Sequence, residues 1–418
     1  MRRFLAHSGL KLSLAMLLLV QAACGESDEP TALTPAPSAQ RGELVAVTAS
    51  TTVSLGEVQL AIALLEAAGI DTSGLDGKYG VSIHTLVYKT ATPDGRLIDA
   101  SGVVAYPLKL GGAPSPLLSY QHPTLFTDDD APSLSANTDN VLKLLAGIGF
   151  IVVMPDYIGY AESADEVHPY VQAQGLAAAV VDMIRAARTL LARNGIAGNG
   201  QLFLTGYSEG GYATLAAHKE MEQNLAAEFG VTASMPAAGP YDMSATAQYM
   251  VGLDINDNPQ FLGFVFKAYD HWHGWNRLDD MFQAPYNNVI ATYYDGTQSS
   301  GAVQAALTTS MADLFTPAFR DEFLGGGEAT VKAGFAANDI YDWAPQAPTR
   351  LFHGEDDDIV PHFNAETAET VMRAAGAPDV SLVNCTTPLA SIPRNHENCV
   401  VDYLSEVVVW FGSLATDL

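Results

Sequence analysis

Leu202-Phe203-Leu204-Thr205-Gly206-Tyr207-Ser208-Glu209-Gly210-Gly211 is the stretch on which the fold turns. Its first three residues read as a buried strand. From Gly211 an Ala-rich helix is expected to run through His218. Between them Gly206 to Gly210 fits G-x-S-x-G, a sharp strand-to-helix turn that carries a serine at its apex. The serine of such a turn sits in a strained conformation, and small flanking residues let strand and helix approach closely. In a chain with 36 glycines the pentapeptide alone would be weak. The strand before it and the helix after it make it specific, and Ser208 becomes the candidate nucleophile.

A serine hydroxyl attacks poorly until a base takes its proton and an acid orients that base. Behind an elbow of this kind the partners follow in the order acid, then histidine. The acid is sought in Leu351-Phe352-His353-Gly354-Glu355-Asp356-Asp357-Asp358-Ile359-Val360-Pro361, read as a strand from Thr349 to His353 and an acidic loop. Asp357 is selected because Gly354, Asp357 and Val360 resemble the G-x-x-D-x-x-V motif of this loop in related hydrolases; Asp356 and Asp358 stay as alternatives. Only His362 and His396 follow this loop. His362 falls at the start of a helix from Asn364 to Ala375, badly placed to reach Ser208. His396 follows a strand-like run, Val380 to Val383, and precedes a last helix, Val400 to Phe411. It is the expected base.

Around these residues the chain reads as β, then alternating β and α. Val81 to Ala91 and Ile98 to Pro107 flank a Pro93-Asp94-Gly95 turn and predict a hairpin. Pro116 to Gln121 and Phe150 to Met154 are short apolar runs suited to strands buried on both faces. Leu176, Val180, Met183, Ile184, Ala187, Leu190 and Leu191 form a helical stripe closed by Asn194-Gly195. Ser54 and Glu57 resemble a capping box ahead of an N-terminal accessory helix, Val58 to Ala68. From Asp242 to about Trp343 the alternation stops, which predicts an inserted cap or lid. Its aromatics, Tyr269 to Tyr294 with Trp272 and Trp275 among them, suit either an acyl-binding wall or the cap's own core. Asp254 to Asn258 opens like a calcium loop but has Pro259 and Val265 where glycine and glutamate are needed, and is discounted. His271 and His273 lack further ligands for a metal.

The same order of features resembles that of secreted bacterial α/β-hydrolases of the lipase family, and of the fungal secretory lipases of the Candida lipase A type. The resemblance covers most of Tyr79 to Leu414. It rests on Tyr120-Gln121-His122-Pro123-Thr124, Pro155-Asp156-Tyr157-Ile158-Gly159, His168-Pro169-Tyr170, the elbow, Ala238-Gly239-Pro240-Tyr241-Asp242, and His353 through Pro361. It implies an α/β-hydrolase fold: a mostly parallel sheet flanked by helices, with an inserted cap. The expected organisation is a core over 43–240, a cap over 241–343, and the rest of the core over 344–418. It also implies a serine hydrolase acting on acyl esters, glycerides included, with no metal or organic cofactor. A serine peptidase of the prolyl-oligopeptidase type, a non-catalytic surface protein on the same fold, and acyl transfer to an acceptor other than water are the alternatives.

Related enzymes often have His-Gly-Thr where this chain has His122-Pro123-Thr124. A tetrahedral intermediate needs two preorganised N–H donors for its oxyanion. One is expected from Glu209, the residue after the nucleophile. The other comes from the loop that holds Pro123, which has no N–H to give, so Thr124 is the candidate. Loss of one such donor removes about 3 kcal/mol of transition-state stabilisation.

Arg2, Arg3 and Lys11 beside the apolar run Leu12 to Val20 form a targeting segment, 1–23, too short to span a bilayer comfortably. Gln21-Ala22-Ala23-Cys24-Gly25 resembles a lipobox, with Gln21 where leucine is preferred. Cys24 would then be acylated, attaching the enzyme to a membrane through a flexible tether, 24–42; ordinary cleavage and release is the alternative. The remaining two cysteines, Cys385 and Cys399, flank the His396 loop, and an exported chain permits their pairing. Closing a loop of this size contributes about 3 kcal/mol in the chain-entropy model. The net charge of −27 argues against nucleic acid and anionic substrates and suits neutral esters, small or lipid.

Overall fold

The computed structural model describes residues 40–72, 77–386 and 393–418. The targeting segment, Cys24 and the tether as far as residue 39 lie outside the described residues. Nine strands of the described residues form one sheet: β1 (Leu44–Val53), β2 (Val81–Ala91), β3 (Leu97–Pro107), β4 (Ser115–Gln121), β5 (Ile151–Pro155), β6 (Gly198–Tyr207), β7 (Ala233–Ala237), β8 (Thr349–His353) and β9 (Val380–Asn384). Their order across the sheet is 1-2-3-5-4-6-7-8-9. β1, β2, β3 and β5 pair antiparallel in turn, while β5, β4, β6, β7, β8 and β9 run parallel. This is an α/β-hydrolase sheet. β5 and β7 are buried along their whole length, as strands covered on both faces must be.

The helices that cover the sheet are α1 (Leu55–Ala67), α2 (Asn140–Ile148), α3 (Ala173–Arg193) and α4 (Glu209–Asn224). Between β7 and β8 come α5 (Met243–Gly252), α6 (Pro259–Trp272) and shorter helices through Ala336. α7 (Phe363–Ala374) and α8 (Cys399–Leu414) follow. α1 opens with the capping box read from the sequence, Ser54 and Glu57 each bonding the other's backbone N–H. Two apolar layers sandwich the sheet. Leu176, Ile184, Leu190, Tyr212, Leu215 and Met372 pack one face, from α3, α4 and α7. Val58, Leu142, Leu145, Tyr403, Val407 and Phe411 pack the other, from α1, α2 and α8.

This topology decides where a site can form. The chain leaves β4 for β5 through α2 on one face, and leaves β6 for β7 through α4 on the other. Neighbouring parallel strands whose connections depart to opposite faces leave a crevice at their carboxyl ends, where open α/β sheets bind ligands. The loop after β4 and the turn after β6 both open there.

Two strands have no counterpart in the sequence reading. β1 is an edge strand whose central residues are nearly all exposed, so it shows no inward-facing alternation. β7 contains Pro236, a residue that argues against a central strand because it cannot donate to a ladder.

Candidate active site

Ser208 joins β6 to α4 with φ 61° and ψ −122°, a conformation that costs of order 1–3 kcal/mol in a non-glycine residue. The surroundings hold it there. The Ser208 N–H donates to the Ala237 carbonyl across the sheet, at 2.9 Å. The glycines allow contacts that no side chain would fit. A Cβ at Gly210 would stand 2.1 Å from the Gln121 carbonyl oxygen, and one at Gly211 2.0 Å from that of Ala237. Both obstacles are backbone, so neither can swing aside. Gly211→Ala should therefore destabilise the fold despite alanine's higher helix propensity, by about 3 kcal/mol or more. A denaturant midpoint equal to or above wild type would contradict this close approach of α4 to β7.

The crevice brings together three residues from the ends of three strands. His396 Nε2 lies 2.8 Å from Ser208 Oγ, and His396 Nδ1 lies 2.6 Å from Asp357 Oδ2. Asp357 Oδ1 accepts from the N–H groups of Ile359 and Val360 at 3.0 and 2.7 Å, which fixes the carboxylate plane. Burial alone would raise this carboxyl, but attraction to His396 and hydrogen bonds from His353 and His396 outweigh it and hold the group below the usual carboxylate range. The neighbouring acids are occupied elsewhere. Glu355 and Asp356 pair with Arg394, and Asp358 Oδ1 accepts from the His396 backbone N–H at 3.3 Å. His362 stands at the start of α7 and bonds Asn384 at 3.1 Å, not Ser208.

A second imidazole reaches Asp357. His353, the fully buried last residue of β8, places Nε2 3.1 Å from Asp357 Oδ2 and 2.9 Å from the Val360 carbonyl. Both partners only accept, so Nε2 carries the ring proton. Nothing in the sequence assigned His353 a role. The available signal was its position four residues before the acid, at the mouth of a buried strand.

Cys385 and Cys399 are bonded, S–S 2.09 Å, with fourteen residues of separation enclosing His396. Residues 387–392 of that loop are outside the described residues. Tyr207 supports the loop from below, its hydroxyl donating to the His396 carbonyl at 2.7 Å.

Glu209 is the first residue of α4, and Thr124 lies on the loop after β4. N–H groups in a helix's first turn have no intrahelical acceptor. Among the described residues neither the Glu209 nor the Thr124 N–H finds one. The Glu209 side chain turns inward and meets His168 Nε2 at 2.6 Å, while Thr124 Oγ1 meets the Tyr170 hydroxyl at 2.8 Å.

With this arrangement in view, comparison places the chain among known proteins. Residues 131–388, more than half of the sequence, match the family described as secretory lipase. The chain belongs to that family. It is similar in structure to the rice cell wall degrading esterase LipA from Xanthomonas oryzae, with 27% identity over 88% of this chain and 97% of that one and a TM-score of 0.77. A Legionella pneumophila protein is similar to the same degree, 27% identical over 88% of this chain and 98% of that one, TM-score 0.78. Candida antarctica lipase A shares the fold at 17% identity, covering 86% of this chain and 78% of its own, TM-score 0.62. No curated protein matches the sequence.

In this member of the secretory lipase family a cleft of about 550 Å³, including its open mouth, lies over Ser208. α5 and α6 wall it with Met243, Met250, Phe261, Leu262 and Val265, and the acid loop adds Ile359 and Val360. The aromatics singled out between Tyr269 and Tyr294 are not in this wall. Tyr269 stacks on Phe335 at 4.8 Å, while Phe282 meets Phe315 at 4.8 Å and Tyr294 meets Phe264 at 4.7 Å with tilted rings. Tyr269 and Phe282 are buried in the core of this insertion, because its eight helices must bury apolar surface against one another. Phe261 and Tyr170 are the aromatic residues that face the cleft.

Proposed function

We propose that the protein is an exported serine hydrolase of carboxylic esters, acting on lipid or other neutral acyl esters. One observation carries the reading: a single imidazole bridges Ser208 Oγ and the Asp357 carboxylate on the floor of an apolar cleft. Secretory lipase membership and the similarity to an esterase support it. The targeting segment and the Cys385–Cys399 bond support export, with Cys24 marking either lipid attachment or nearby cleavage.

In this reading Ser208 Oγ attacks the ester carbonyl carbon as His396 Nε2 takes its proton. Asp357 keeps the other ring proton on Nδ1 and stabilises the imidazolium. The carbonyl π electrons move to oxygen, and the N–H groups of Glu209 and Thr124 face that oxyanion. Its collapse expels the alkoxide, which takes the proton from His396. Water then attacks the acyl-enzyme, giving its proton to His396, and the acid product leaves with Ser208 reprotonated. The side chains of α5 and α6 would hold the acyl chain, so the insertion serves as the cap.

Hydrolysis of p-nitrophenyl esters from acetyl to palmitoyl tests the proposal. The expected result is ester turnover by the wild type; preference for long chains marks a lipase and for short chains an esterase. No turnover of any ester, with turnover of peptides instead, would overturn it.

A further inference from the structure

We infer that His168-Pro169-Tyr170 is a clamp that sets both oxyanion donors, with His168 and Tyr170 as positioning residues. The inference rests on the proposed role of Ser208. The tripeptide lies on the connection from β5 to α3, yet its two ends grip residues from different parts of the crevice. His168 holds Glu209 at the start of α4, and Tyr170 holds Thr124 on the loop after β4.

Each grip is buried and directional. His168 Nδ1 lies 2.7 Å from the Ile158 carbonyl, so it carries a proton. Nε2 faces Glu209 Oε1 at 2.6 Å, with side chains 3% and 0% exposed. One proton therefore lies between ring and carboxyl, and the pair as a whole is neutral. That matters at this position. An unpaired carboxylate one residue from the nucleophile would repel the oxyanion, and the low dielectric of a buried site would strengthen the repulsion. The seat of His168 is itself enforced by chain geometry: Gly159 has φ +94°, and a Cβ there would stand 2.6 Å from the His168 Cα.

Tyr170 is held flat against Phe264, ring centroids 4.4 Å apart and planes 14° from parallel. Burial pushes its phenol well above the ordinary range, so the hydroxyl stays protonated at working pH. Its bond to Thr124 Oγ1 ties the residue that follows Pro123, which has no N–H to give, to the buried ring. Catalytic groups must be held within about half an ångström to work, and this one tripeptide references both donors to the same frame.

The test uses Tyr170→Phe, His168→Gln, Thr124→Val and the Tyr170→Phe/Thr124→Val double variant of the full chain, with melting temperatures as a check on folding. Tyr170→Phe should lower kcat about tenfold with KM unchanged, a smaller loss than the roughly 100- to 1,000-fold expected from deleting an oxyanion donor. Affinity for an alkylboronic acid, which mimics the tetrahedral intermediate, should fall in parallel. Thr124→Val should lower kcat, and adding Tyr170→Phe to it should change nothing further, because the hydroxyl acts through Thr124. His168→Gln should lower kcat at constant KM by at least as much as Tyr170→Phe. Tyr170→Phe with kcat within twofold of wild type, a loss confined to KM, or additive effects in the double variant would overturn the clamp. An active Ser208→Ala enzyme would instead overturn the reading beneath it.

Discussion

Ser208→Ala is expected to lower kcat by about 10⁵- to 10⁶-fold, the scale seen when the nucleophile of a serine hydrolase is removed. The backbone gives no reason for the variant to misfold. Alanine keeps the Cβ, so the strain at φ 61° is the same, and the N–H bond to Ala237 is retained. What is lost is the hydroxyl that His396 Nε2 contacts at 2.8 Å. Ester hydrolysis should disappear while the unfolding transition stays in place. Turnover near the wild-type rate would remove the covalent mechanism altogether.

Asp357→Asn should lower kcat by about 10⁴-fold. The asparagine amide can still satisfy the Ile359 and Val360 N–H groups through its oxygen. Its NH₂ then faces His396 Nδ1 and forces the proton onto Nε2, where it blocks acceptance from Ser208. Asp356→Asn and Asp358→Asn should do far less, since the first loses an exposed pairing with Arg394 and the second a bond to backbone. If Asp358→Asn were the worst of the three, the role assigned to Asp357 would be wrong. The same substitution has a stability signature. A carboxyl held below its unfolded pKa contributes stability that is present above about pH 4 and lost as pH falls through the folded value. Asp357→Asn should flatten that acid limb in denaturation measured as a function of pH.

Much of this architecture was legible because local chemistry and tertiary role coincided. A Cβ at Gly210 or Gly211 would stand 2.0 to 2.1 Å from a backbone oxygen, so both elbow positions favour glycine. Apolar runs such as Ile151 to Met154 mark strands buried on both faces, and Ser54 with Glu57 announces a helix start. β1 and β7 escaped notice for the reasons given by their surroundings: an exposed edge needs no alternation, and a proline is tolerated where one missing donor is outweighed by packing. The aromatics of the insertion were ambiguous in sequence, because a ring that lines a cleft and a ring that fills a core have the same spacing.

By itself, the sequence determined the serine turn, the order of acid and histidine along the chain, the α/β rhythm, and the cysteines on either side of the histidine loop. Each is a local or ordinal property, carried by steric needs that neighbouring residues impose on one another. Only the tertiary structure decided which of four adjacent carboxylates meets the imidazole, that His353 shares it, and that one tripeptide touches both Glu209 and Thr124. Those are distances between residues up to 46 positions apart, as for Tyr170 and Thr124. They are set by how strands are ordered across the sheet and which face each connection crosses, and no pattern within a single segment encodes that.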